Sequence, residues 1–174
     1  MNKLVLLTLA AFLMIALSAC GSTVKMSSDS GEVASAASEI ADFEPPAGYS
    51  SDFTANLLGY TVAAYNPGDG HSHLYLVQSE KESDAEKLEQ MLGKLVPGSS
   101  DRNSRLTVIE NRAVTIRGQA TTLVISDGVN SDGDSYRQVT AAFQGKGGPA
   151  LLVLSEPIDR WDQSAVDAFI ASIQ

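Results

Sequence analysis

From residue 45 onward, apolar and polar positions alternate with two periods. Residues 57–65 (LLGYTVAAY) and 71–78 (HSHLYLVQ) are β-branched and aromatic, and the turn Pro67-Gly68-Asp69-Gly70 joins them as a hairpin. Residues 83–96 follow with a helical period. Ala85, Leu88, Leu92 and Leu95 fall on one face with Met91 beside them, Ser83 and Glu86 have capping-box spacing, and Pro97-Gly98 stops the run. A strand series comes next: 106–110, a turn at Asn111, 112–117, 120–126, a turn-rich loop over 127–134, and 136–143. Val114 and Ile116, Leu123 and Ile125, and Val139, Ala141 and Phe143 mark the buried faces of three of these strands. After the glycines of 145–148, residues 149–154 (PALLVL) are apolar on both faces, as in a central strand covered on both sides. The last run is helical. Trp161, Ala165, Val166, Phe169, Ile170 and Ile173 share a face, and Asp159 or Asp162 is placed to cap it.

These elements predict a single α+β domain over 45–174. It has a mainly antiparallel sheet of about six to seven strands and two amphipathic helices. The order hairpin, helix, strands, helix resembles the Mog1/PsbP-like fold, a sheet with flanking helices, and the resemblance implies an architecture only.

The N-terminus has a different pattern. Lys3 precedes an uncharged run over 4–17, then Ser18 and Ala19, then Cys20, the chain's single cysteine. A basic head, a short apolar run and small residues before a cut describe a signal peptide, and the run is short for a spanning helix of about 20 residues. Leu17-Ser18-Ala19-Cys20 resembles the lipobox of bacterial lipoproteins. That resemblance implies cleavage after residue 19, a diacylglycerol on the Cys20 thiol and an acylated N-terminus; palmitate is the expected label. Gly21, where an Asp would favour inner-membrane retention, permits outer-membrane sorting (periplasmic or surface face) in a Gram-negative cell. In any other cell the expected place is the outer face of the plasma membrane. The expected partners are therefore the membrane, through acylated Cys20, and an envelope protein or small ligand of unspecified kind.

Residues 20–44 form the lipidated N-terminus and a Ser/Ala-rich stretch that reads as a flexible tether, about 24 residues spanning roughly 25–30 Å. Val33, Ala36, Ala37 and Ile40 have helical spacing, which leaves a short helix open as the other reading. The formal charge of −9 becomes one unit more negative once Lys3 is removed with the signal peptide. With Lys and Arg scattered, that balance excludes a nucleic-acid interface.

Candidate chemistry is sparse. His71 and His73, with Asp69, offer two imidazoles and a carboxylate, one short of the usual four zinc ligands. Asn130-Ser131-Asp132-Gly133-Asp134 has the middle of a calcium loop, but Gly128 and Val139 occupy its acidic ends. Gly145-Lys146-Gly147-Gly148 lacks the P-loop spacing and lies between strands. A hydrolase needs an activated nucleophile; there is no G-x-S-x-G elbow, and Ser50 and Ser51 read as loop residues. Glu80 and Glu82 read as solvated charges before a helix, and the single Trp as core. No catalytic residue, cofactor or metal set is assigned. The leading expectation is a non-enzymatic binding or accessory module on a lipid anchor. A metal-binding lipoprotein using His71 and His73, and a small hydrolase with a site not recognised, are the alternatives.

Overall fold

The computed structural model describes residues 25–95, 106–130 and 132–174. The signal segment, the lipobox, the Leu95 side chain and Pro97-Gly98 lie outside the described residues. The elements are β1 (Lys25–Ser27), α1 (Ser30–Ile40), β2 (Ser50–Leu57), β3 (Tyr60–Asn66), β4 (His73–Ser79), α2 (Ala85–Leu95), β5 (Thr107–Ile116), β6 (Gln119–Val129), β7 (Ser135–Gln144), β8 (Pro149–Pro157), a 3-10 turn (Ile158–Arg160) and α3 (Gln163–Ser172). The strands form one sheet in the order β1-β2-β3-β4-β8-β7-β6-β5. Every pairing in it is antiparallel. The fold class is α+β, as the element order implies, with eight strands and three α-helices among the described residues rather than six to seven and two.

The sheet is covered unequally on its two faces. Ala150, Leu152 and Leu154 of β8 pack on one face with Leu74, Leu76, Val139 and Ala141, beneath Val33, Ala37 and Ile40 of α1 and Val166, Phe169 and Ile170 of α3. Leu151 and Val153 turn the other way, and with Val62, Ala64 and Val77 they pack against Leu88 and Leu92 of α2. The double apolar pattern of residues 149–154 is thus the middle of a three-layer sandwich.

The largest difference from expectation is the tether. Residues 30–40 are a helix docked in the core, with Val33 and Ile40 fully buried. Asp29 caps it, its Oδ1 accepting from the N–H groups of Gly31 and Glu32 at 2.9 and 3.0 Å. A Ser/Ala-rich composition reads as a linker. Here the small residues let the helix axis approach the sheet, and Ala36 and Ala37 are buried against it. After α1, Asp42 and Gln174 exchange backbone hydrogen bonds at 3.1 and 2.8 Å, tying the segment that leaves α1 to the residues after α3.

Other boundaries shift for local reasons. Residues 57–65 are not one strand: Leu58 and Gly59, both at positive φ, turn β2 into β3. Ser50 and Ser51 therefore lie in a strand, opposite Asn66 and Tyr65. Asn111 makes no turn, because β5 runs through it with a bulge between Val108 and Glu110. The cap of α2 is Asp84 instead of Ser83: its Oδ1 accepts from Lys87 N at 2.9 Å. Ala85 and Ala165 are exposed, and Trp161 stands ahead of α3, half-buried, with the Arg137 guanidinium 5.5 Å from its ring centre. Asp162, one of the two expected caps, receives the N–H groups of Ser164 and Ala165.

Two substitutions measure whether these helices carry the core. Ile40→Ala should cost about 2–5 kcal/mol and Phe169→Ala about 3–5 kcal/mol in urea unfolding. A loss below about 1 kcal/mol for Ile40→Ala would make α1 peripheral. A chain beginning at residue 45 lacks α1 and should lose cooperative unfolding.

Candidate functional site

The described loops that gather a cavity lie at one end of the sheet, past the end of β3, the start of β4, the β6–β7 connection and the end of β8. The β3–β4 loop is built around Asp69. Gly68 and Gly70 take positive φ on either side of it, and Asn66 Oδ1 accepts Gly68 N at 2.9 Å to start the turn. Asp69 Oδ1 then accepts His71 N and Ser72 N at 2.9 and 2.8 Å. Its Oδ2 accepts Ser72 Oγ at 2.7 Å and Arg160 from the 3-10 turn at 2.6 Å. Burial alone would raise the Asp69 pKa. The hydrogen bonds from Ser72 and His71, with the Arg160 charge, outweigh it and hold the carboxyl at about 2.

Beside this hub, the Tyr49 hydroxyl donates to Glu156 Oε1 at 2.8 Å. Burial, then the Glu156 charge, pushes the phenol far above its ordinary value. Glu156 is itself raised, first by burial and then by the charges of Asp69 and Asp162, against the lowering effect of the Tyr49 hydrogen bond. One carboxylate of the pair is thus held ionised by its donors, while the other is pressed toward its neutral form.

The space in front is an open cavity of about 590 Å³ whose walls include His71, Asp134, Pro157, Ile158, Asp159 and Arg160. A recess of about 30 Å³ continues from it toward Asn130, Tyr136 and Ser155. The β6–β7 loop that forms one wall is closed by Asn130, whose Oδ1 accepts Asp132 N and Asp134 N at 3.0 and 2.8 Å. The residues that resembled a calcium loop therefore cap their own backbone. Tyr136 lies on Gly128: a Cβ there would meet the ring at 2.6 Å, so this position admits only glycine without a shift.

The three candidate metal ligands are not brought together. β4 begins at His73, so strand alternation does not extend back to His71. His71 is exposed in the loop and lines the cavity, whereas His73 is half-buried and stacks on Tyr75 at 5.7 Å with the rings 10° apart. Asp69 is already filled by four donors. Among the described residues, no group of three or more His, Cys, Asp or Glu is placed to hold a metal ion. The glycines of 145–148 form the β7–β8 turn, where Gly145 N donates to Gly148 O and Gly147 N to Gln78 Oε1.

Tyr49, Ser72, Glu156 and Arg160 were not legible as a site. They come from three separate segments, Glu156 and Arg160 sharing the last, and form no motif. The one local signal was Asp69 between two glycines, the composition of a turn whose carboxylate caps its own backbone.

The fold and this end of it define an α+β sheet domain with a loop-built polar cavity. No protein-family model and no curated protein matches the chain. Among solved structures it is similar to the solution structure of cyanobacterial PsbP (CyanoP) from Synechocystis sp. PCC 6803. The two are 17% identical over 91% of this chain and 98% of that one, with a TM-score of 0.44.

The two carboxylates should respond to acid with opposite signs. Asp69 is held below its ordinary 3.8, so its stabilisation is complete above that pH and is lost as pH falls toward about 2. Glu156 is raised, so its favourable contribution is present below 4.5 and is lost as pH rises. Melting temperatures taken from acid to neutral pH should show Asp69→Asn destabilised at neutral pH, converging on the wild type in acid. Glu156→Gln, which keeps an acceptor for Tyr49, should melt higher than the wild type at neutral pH and lose that advantage in acid. Parallel curves for wild type and Asp69→Asn would mean that the folded state does not hold the Asp69 charge.

Proposed function

We propose that this chain is an exported, lipid-anchored envelope lipoprotein whose domain works as a non-enzymatic binding or accessory module. The observation that carries the reading is Leu17-Ser18-Ala19-Cys20 placed directly after the apolar run of 4–17. Two acyl chains or more on Cys20 would hold the protein firmly, since each buried methylene adds about 0.8 kcal/mol. No helix among the described residues is long and apolar enough to cross a membrane.

The binding part of the reading rests on the cavity. Ser72 is 2% exposed and its hydroxyl is committed to Asp69, and Asp69 is committed to four donors. The buried polar groups lock loops in place, as a rigid cleft requires. Asp134, Asp159 and Arg160 present charge to solvent, beside the His71 imidazole, over the apolar Pro157 and Ile158. Such a rim suits an envelope protein segment or a small polar ligand that carries a basic group.

Labelled palmitate separates anchored from unanchored protein. The wild type should incorporate it and run as the shorter, processed form, while Cys20→Ser should remain as unlabelled precursor. Equal labelling of both would overturn the lipoprotein reading.

A further inference from the structure

The sheet has two ends; the chain enters it at one, and the cavity lies at the other. β2 runs from Ser50, opposite Asn66, to Leu57, opposite Tyr60. β1 pairs with its far half: Lys25 lies opposite Asn56 and Ser27 opposite Thr54. The chain therefore enters the sheet at the Leu58–Gly59 turn and runs toward the cavity end. The length of β2, eight residues, separates the two ends by about 25 Å.

Covalent geometry limits how far the anchor can be. Five peptide units join Cys20 to Lys25, and a fully extended chain of that length spans at most about 17 Å. The β2–β3 turn projects two residues beyond the level of Lys25, about 7 Å nearer to where the preceding chain departs. That turn carries Leu58, 65% exposed at a hairpin tip, and Met26 on the adjoining edge strand is 60% exposed. A leucine at positive φ on an open turn contributes nothing to the core.

Acidic residues stand at both ends: Glu80 N–H donates to Gly59 O on the β2–β3 turn, with Lys81 next to it and Lys25 starting the edge strand. The loops at the cavity end carry Asp132, Asp134, Asp159 and Asp162 around Arg160. Near an anionic lipid surface those carboxylates are repelled, whereas at the turn end Lys25 and Lys81 offset Glu80 and Glu82.

We infer that the β2–β3 turn, with Leu58 and the β1 edge, is a membrane-contacting surface of the anchored protein, and that the His71–Arg160 cavity is its outward end. The occupant of the Leu58 surface is the headgroup region of the bilayer into which Cys20 is acylated. This inference rests on the lipoprotein reading. It adds an orientation, and replaces a domain held off by a long tether with one held close.

The test uses the full lipidated protein in phosphatidylethanolamine–phosphatidylglycerol vesicles. An environment-sensitive dye is placed at Leu58→Cys or, as the distant control, at Asp132→Cys; acylation leaves Cys20 unreactive. Nitroxide-labelled lipids should quench the dye at residue 58 several-fold more than at residue 132, and its emission should shift to the blue only at residue 58. Equal quenching at both sites, with the protein still floating with the vesicles, would overturn the orientation and leave the anchor intact. If mass spectrometry finds no acyl group on Cys20 and the protein does not float, the lipoprotein reading itself has failed and the orientation falls with it.

Discussion

A strand with no polar face has to be roofed on both sides, and β8 sets that requirement for the whole domain. Its Leu151 and Val153 point one way while Leu152 and Leu154 point the other. The sheet therefore cannot leave its middle open to water, and helices must lie on both faces. α1 and α3 cover one side and α2 the other. Because β8 is pinned between β4 and β7, its end delivers Glu156 and Arg160 beside the β3–β4 loop, where Tyr49 and Asp69 receive them. The polar cluster is thus a by-product of where the central strand has to sit.

The same burial explains the electrostatic contrast at that end. Asp69 and Glu156 are both partly withdrawn from solvent, yet their protons are held with opposite tendencies. Asp69 has backbone and hydroxyl donors that solvate its charge, so the cost of burial is more than repaid. Glu156 has one phenol for that purpose and acidic neighbours besides. Asp69's donors outweigh its burial, whereas at Glu156 burial outweighs the single phenol.

Much of the fold was legible because it rests on periodicity. Alternation over 136–143, the doubly apolar 149–154 and the helical stripe of Val166, Phe169 and Ile170 are all direct consequences of burial, and each is in place. What failed was composition used as a proxy for order. Residues 30–40 look like a linker because Ser and Ala dominate, but the four apolar positions at helical spacing were the physical signal. The β2–β3 turn was hidden because Leu58 occupies a positive-φ position that usually goes to Gly or Asn, so LLGY reads as continuous strand. The candidate site was barely visible, since its contacts join residues 49, 69, 72, 156 and 160, and only the folded sheet makes them neighbours.

The strand order carries a consequence for how the domain comes to be made. β1 to β4 form one meander and β5 to β8 another, each built from neighbours in sequence. The seam between them is the pairing of β4 with β8, and β8 is the last of the described strands to be synthesised. Until it arrives, β4 presents a bare row of amide and carbonyl groups, bordered by Leu74, Leu76 and Val77, to whatever else is nearby. Assembly thus closes like a zip pulled from the C-terminal half, and the interval before closure is when the young chain is most open to pairing with the wrong partner.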